Sequence, residues 1–310
     1  MQPSSRRYRA VSSDSARWEG FPLRPGDIVI SPPPKCGTTW VQMICALLVF
    51  GTPRLDRPLD QVSPRLDART ATREEVWSRL EAQAHRRFIK THTPFDGLPD
   101  DERVTYVCVG RDPRDVALSW DNHQANTDMD AFVRARQSAA GGDPPTANAD
   151  AEAPALPSLW AQNVRKRFWR WVDDPTPPTE ADSSLRSTLH HLQTFWAIRD
   201  RPNVVLLHYA DLKGDLEGQM RGLAQRLAIA VPEARWPSLI EAAGFESMRA
   251  RADELVPNAS RHVFKDNRRF FASGRIGQWR SLLDYNDLVR YHARVAELAS
   301  PDLADWVHHS

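Results

Sequence analysis

The run Pro34-Lys35-Cys36-Gly37-Thr38-Thr39-Trp40 holds the residue types that bind an oxyanion, in the order a phosphate loop needs. At the head of a helix, the backbone N–H groups of Gly37, Thr38 and Thr39 converge on one point, and the helix dipole favours negative charge there. The two threonine hydroxyls add donors, Gly37 leaves no side chain in the way of close approach, and Lys35 adds a point charge. A nucleoside-triphosphate loop of the G-x-x-x-x-G-K-[ST] type places its lysine after the last glycine. Here the lysine precedes the glycine and the first glycine is missing, so ATPase or GTPase chemistry is not expected. The competing reading is an ordinary strand–turn–helix junction whose threonines cap the helix.

Such a loop works only with a strand behind it and a helix ahead. Asp27 to Ser31 is a β-branched run after Pro25-Gly26 and reads as a buried strand, and the apolar stretch from Thr39 to Phe50 has helical length. Further strands fit Arg87–Thr91, Val104–Val109 and Val204–Leu207, with helices such as Glu74–Ala84 and Leu189–Arg199 between them. The alternation predicts an α/β fold: a P-loop-like, doubly wound, mainly parallel sheet flanked by helices, in one domain over residues 1–310. Ligands of open α/β sheets bind at the carboxyl ends of the strands. His92 follows the second strand at that end, and Lys90 lies two residues earlier on the same face of the extended chain. A solvated role for Lys90 is hard to hold because it ends an apolar run, whereas a lone strand-end histidine is more often structural.

Lys+Arg of 41 against Asp+Glu of 40 gives a net charge of +1, without the basic excess that nucleic-acid binding requires. The three cysteines, Cys36, Cys45 and Cys108, are scattered and form no metal-ligand pair, which suits a reducing cytoplasm. The basic N-terminus has no apolar stretch behind it, and the longest apolar run, Met43 to Phe50, is too short to span a bilayer, so a soluble protein without stable membrane insertion is expected. His190-His191 and His308-His309 have no third ligand in view, and no metal is assigned. Two small, acidic, proline-rich stretches, Ala139 to Ala155 and Asp173 to Asp182, bracket an aromatic and basic one, Leu159 to Val172. They read together as a lid-like insertion over the sheet, about residues 136–186, carrying a short helix between mobile links. That helix either lies at a lipid surface, closes over an apolar acceptor, or packs its aromatic face on the body with its arginines in solvent, and packing is preferred.

PKCGTTW closely resembles the PKSGTTW loop of the cytosolic sulfotransferase family, which uses 3′-phosphoadenosine-5′-phosphosulfate (PAPS), with Cys36 in the usual serine position. Lys90-Thr91-His92-Thr93-Pro94 is similar to the family's K-T-H-x-P, and the segment from Arg111 to Ser119 to its R-x-P-x-D-x-x-x-S. His208-Tyr209-Ala210-Asp211, Gly244-Phe245-Glu246-Ser247-Met248 and Phe270 to Trp279 follow in the family's order. The resemblance runs from about Arg24 to the C-terminus, outside the insertion, and its wording is nearest to bacterial glycolipid sulfotransferases.

The resemblance implies transfer of a sulfonate group from PAPS to the hydroxyl of a glycolipid, lipid alcohol or phenol, leaving 3′,5′-diphosphoadenosine (PAP), with no metal. It implies His92 as the general base, Lys35 and Lys90 as charge stabilisers, and Cys36, Gly37, Thr38 and Thr39 in the phosphate cradle. Arg111 and Ser119 would hold the 3′-phosphate, Trp40, Tyr209 and Phe245 the adenine, and Ser273, Gly274 and Arg275 the last cofactor-binding turn. Asp112, Arg114 and Asp115 read as a capped, salt-bridged helix start. Where the family commonly has arginine, this chain has Ala272; donor binding is expected to weaken, with Arg268, Arg269 or Arg275 as replacements. The alternatives are a non-catalytic PAP-binding relative and a nucleotide kinase. A monomer and a homodimer both remain open, because the segment after Trp279 lacks a clear form of the relatives' dimer motif.

Overall fold

The computed structural model describes residues 2, 4–140, 163–257, 261–271 and 274–309. Four short strands, β1 (Ile28–Ile30), β2 (Phe88–Lys90), β3 (Thr105–Gly110) and β4 (Val204–His208), form its sheet. The helices that concern the site are α1 (Thr38–Phe50), α2 (Arg73–Glu81), α3 (Pro113–Asn126), α4 (Met129–Ala139), α5 (Val164–Asp173), α6 (Leu185–Trp196), α7 (Tyr209–Gly214), α8 (Trp236–Ala243), α9 (Phe245–Ala250) and α10 (Tyr285–Ala296).

The strands run parallel in the order β2-β1-β3-β4. β1 is flanked by the strand that follows it on one side and by β3 on the other, so the winding reverses between β1 and β3. Binding crevices of open α/β sheets form at that switch point. The strands are apolar on both faces because both faces are covered. Ile28, Ile30, Phe88, Val107 and Val109 pack with α1 and α8. Val29, Ile89, Tyr106 and Cys108 pack on the opposite face with α3, α5 and α6. α1 stops at Gly51, whose φ of 63° closes the helix in the left-handed conformation.

Each predicted strand is present within a residue or two. The helix expected from Leu189 begins earlier, at Leu185, because Ser184 and Ser187 form a capping box there.

Within the predicted insertion, the end of α4 and all of α5 are helical; residues 141–162, including Leu159-Trp160-Ala161-Gln162, lie outside the described residues. α5 is built into the body: Phe168, Trp171 and Val172 are buried. Its arginines are not simply solvated as expected. Arg167 pairs with Asp121 of α3 at 2.6 Å, and Arg165 with Asp287 of α10 at 2.7 Å. No helix among the described residues is long and apolar enough to cross a membrane.

Candidate active site

The loop between β1 and α1 forms the cradle its sequence suggests. Lys35 and Gly37 both have positive φ, 68° and 99°, which curls the backbone ahead of α1. Gly37 is the N-cap and supplies no side-chain acceptor, so the first-turn N–H groups of α1 keep their donor capacity. A Cβ on Gly37 would come within 3.1 Å of the Tyr209 ring, which packs directly against the loop. The Thr38 hydroxyl is buried and has no hydrogen-bond partner among the described residues.

Arg111, just after β3, brings the other side of the switch point to this loop. It is 6% exposed, donates to the Lys35 carbonyl oxygen at 3.0 Å and reaches the Arg275 carbonyl oxygen at 3.4 Å. Its guanidinium lies 4.2 Å from the centre of the Tyr209 ring, and its Nε is buried without a partner. Buried donors without partners are costly in a folded protein. Phosphate oxygens accepting from Thr38 Oγ1 and from Arg111 Nε would satisfy these donors, so both residues fit a donor that carries phosphates.

The aromatic residues converge behind them. Trp40 meets Tyr209 edge to face at 5.4 Å, and its indole N–H donates to the Ala243 carbonyl oxygen at 2.9 Å, at the junction leading to Phe245. Gly274 sits over Phe245 so closely that a Cβ would fall 2.6 Å from the ring, with φ at +59°. Tyr209 therefore serves as a platform for Arg111 and for the loop. Asp115 accepts from the N–H groups of Gly277 and Gln278 at 2.7 and 3.0 Å, and Asp112 from Trp279 Nε1 at 3.0 Å. The helix start thus also anchors the last glycine-rich turn beside Arg111.

Arg268, Arg269 and Arg275 are exposed, whereas Ala272 and Ser273 lie outside the described residues. Ser119 is half-buried on α3, and no hydrogen bond joins it to the loop or to Arg111 among the described residues. Cys36 is fully buried, its side chain in the core beneath the loop, and burial pushes its thiol up to about 12.

His92 sits half-buried at the end of β2, with Nδ1 at 2.8 Å from the Pro32 carbonyl oxygen. A carbonyl only accepts, so Nδ1 carries the proton and Nε2 presents its lone pair. Burial, followed by the charges of Arg65 and Lys90, holds this imidazole well below its ordinary value, so it is neutral. Its backbone N–H donates to Asp67 Oδ2 at 2.9 Å, and Thr93 Oγ1 donates to the same oxygen at 3.1 Å. Burial alone would raise the Asp67 carboxyl, but Arg65 and His92 hold it down to about 2.

Lys90 is 5% exposed and Lys35 half-buried, the Lys35 ammonium 4.6 Å from the centre of the Phe270 ring. Burial pushes both lysines down to about 7; Arg111 adds to the effect at Lys35, and Arg65 and Lys35 add to it at Lys90.

Sequence reasoning missed Arg65 and Asp67, which lie in a loop with no motif to mark them. It also missed His123, on α3 one turn after Ser119, a spacing that shares a helix face. His123 stacks on Trp120 at 5.3 Å and meets Phe264 and Phe270 by their edges. Burial and the charges of Lys35, Lys90 and Arg65 hold it well below its ordinary value, and Phe270 meets both its ring and the Lys35 ammonium. Among the described residues, no group of three or more His, Cys, Asp and Glu is arranged to hold a metal ion.

A sulfotransferase domain model matches residues 25–301. The chain is 40% identical over 309 residues to a glycolipid sulfotransferase of Mycobacterium bovis, spanning 97% of this chain and 93% of that protein. It is also 40% identical over 310 residues to a glycolipid sulfotransferase of Mycobacterium tuberculosis, again over 97% and 93%. Among solved structures, retinol dehydratase in complex with androsterone and the inactive cofactor PAP shares the fold at a TM-score of 0.67 and 20% identity, over 93% of this chain and 86% of that one. A mouse sulfotransferase complexed with PAP shares it at a TM-score of 0.64 and 16% identity, over 94% and 91%. With a family match over residues 25–301, relatives 40% identical over 97% of its length and a fold to go with them, the chain belongs to the sulfotransferase family.

Proposed function

We propose that this protein transfers a sulfonate group from PAPS to a hydroxyl of a glycolipid acceptor, with His92 as the general base. When bound, PAPS supplies the sulfonate on a good leaving phosphate. The observation that carries the reading is the His92 tautomer: Nδ1 tied to the Pro32 carbonyl oxygen leaves Nε2 as a lone-pair donor. That nitrogen would take the proton from the attacking hydroxyl. A positioned base of this kind contributes about 10²–10⁴-fold.

Lys35 and Lys90 would hold positive charge at the point where negative charge develops, in a site whose burial strengthens the effect. The orphaned Arg111 Nε and Thr38 Oγ1 support these two residues as phosphate ligands. Ser119 would join Arg111 on the 3′-phosphate, and Trp40 and Phe245 would flank the adenine, with Gly274 and Arg275 in the turn beside it. The glycolipid acceptor is supported by the two mycobacterial relatives at 40% identity.

The test is transfer of label from radiolabelled PAPS to a panel of glycosides, lipid alcohols and phenols. Transfer is expected, and His92→Ala should lose it by at least about 100-fold while binding PAP as the parent does. Full activity in His92→Ala would remove the base assignment. PAP binding without transfer to any acceptor would favour a non-catalytic relative.

A further inference from the structure

At the end of the sheet opposite the phosphate cradle, the amino ends of β1 and β2 open onto a cavity of about 550 Å³. Sites for small organic molecules have volumes of this order. Three arginines, Arg24, Arg86 and Arg87, line it with a single carboxylate, Asp27. β1 leads from here to the phosphate loop and β2 to Lys90 and His92, so the strands separate this cavity from the chemistry.

The three cations are compensated unequally. Arg87 is 1% exposed and donates through Nε to Asp27 Oδ1 at 2.9 Å and through Nη2 to Asp27 Oδ2. Asp27 Oδ2 also accepts from the Arg24 N–H at 2.7 Å, so both carboxylate oxygens are committed. The Arg24 and Arg86 guanidinium groups donate to neutral backbone oxygens instead. Arg24 holds the Gln83 and Glu81 carbonyls at 2.8 and 2.6 Å. Arg86 holds the Gly26 carbonyl at 2.5 Å through Nε and the Leu227 carbonyl through Nη1. Carbonyl oxygens satisfy N–H donors and fix the guanidinium plane, but they bring no opposite charge. Neither Arg24 nor Arg86 forms an ion pair among the described residues, and burial holds the Arg86 guanidinium below its ordinary value. Arg86 Nη2 has no hydrogen-bond partner among the described residues, and Arg87 Nη1 is buried without one.

We infer that this cavity is a binding site, separate from the donor cradle, for a small organic phosphate monoester. Two uncompensated guanidinium charges match a monoester, which carries about −1.5 to −2 at neutral pH, better than they match a carboxylate. The planar fork of arginine fits phosphate oxygens, and Arg86 Nη2 and Arg87 Nη1 are donors that still lack acceptors. The carbonyl clamps hold Arg86 in place before a ligand arrives, so little side-chain freedom is lost on binding. The cavity exceeds what a bare oxyanion fills, and Pro25, Ala84 and Ala228 give its wall an apolar share for an organic group.

The experiment titrates phenyl phosphate into the full chain by calorimetry, with and without excess PAP. Binding is expected in both, with PAP leaving the titration unchanged because the two sites lie at opposite ends of the sheet. Arg86→Met should weaken it by about 10-fold or more, the worth of a charge-assisted hydrogen bond. Arg24→Met, at an exposed position, should weaken it by a smaller factor. The urea midpoint reports whether each variant keeps its fold, and if Arg86→Met does not, Arg24→Met decides alone.

Two further ligands test the chemical class. Benzoate, with a similar ring and a single charge, should bind about 10-fold more weakly than phenyl phosphate. Inorganic phosphate should also bind more weakly, because it leaves the apolar wall uncovered. Inorganic phosphate binding as tightly as the ester would overturn the monoester assignment in favour of a bare oxyanion. Displacement of phenyl phosphate by PAP, an affinity that neither arginine variant changes, or no heat at millimolar ligand would overturn the site itself.

Discussion

At the scale of single residues, the site is organised by burying cations close together. Lys35 and Lys90, both held near 7, sit near the midpoint of their titration in the free protein at neutral pH. Anionic phosphates stabilise the ammonium forms and raise both values, so donor or PAP binding takes up protons. The sign follows: PAP affinity is full below about pH 7, where both lysines are already charged, and falls as pH rises through 7 toward the raised values. Calorimetry in two buffers of different ionisation heat, from about pH 6 to pH 9, should show this uptake, and Lys35→Met should remove about half of it. A PAP affinity flat across that range would contradict the buried-cation picture. Lys35, Lys90 and His92 were legible in the sequence because each ends an apolar run or opens a helix next to one. Arg65 and Asp67 were not, because their partnership with His92 is made by a loop folding back onto β2, and neither spacing nor periodicity records such a return.

At the scale of elements, the proposed donor site draws on the ends of β1 and β3 and is closed by the turn from Gly274 to Trp279, held by Asp115 and Asp112 at the start of α3. The strands and α1 could be read from apolar runs and loop chemistry, since both sheet faces are covered and the pattern is continuous. The closing turn was legible only through the family resemblance of Phe270 to Trp279; that Asp115 holds it through the Gly277 and Gln278 N–H groups needed the fold. Gly274 is a tight point of the closure, because a methyl group there would overlap the Phe245 ring and the backbone is left-handed. A non-glycine residue in that conformation costs roughly 1–2 kcal/mol before any clash is counted. Gly274→Ala should therefore push the turn off Phe245 and weaken PAP binding by about 10-fold or more, with a much smaller change in the urea midpoint. PAP affinity equal to that of the parent would show that the turn does not shape the donor pocket.

At the scale of the molecule, the question is whether the aromatic and basic helix inside the insertion is a movable cover or part of the body. The sequence favoured packing on the body only slightly, because an alternation of tryptophan and arginine suits a lipid face or a cover almost as well as a half-buried helix. The contacts of α5 decide it. Phe168 is 2% exposed and lies 6.3 Å from the Tyr291 ring of α10, and Trp171 Nε1 donates to Ser183 Oγ at 3.0 Å. Trp169 Nε1 donates to Asp287 at 3.1 Å while the Arg290 guanidinium covers its ring at 3.9 Å. A helix gripped in this way by α3 and α10 unfolds with the domain. Phe168→Ala should then cost about 3–5 kcal/mol of global stability, the range for removing a large buried aromatic. Urea denaturation followed by tryptophan fluorescence and by far-ultraviolet circular dichroism should give one coincident transition, displaced to lower urea, with the slope preserved. If α5 were a cover, the variant would unfold at the parent's midpoint and change only the acceptor KM, because opening a peripheral element leaves the sheet and its two cores intact. The two outcomes differ in kind, and the buried Phe168 commits the fold to the first.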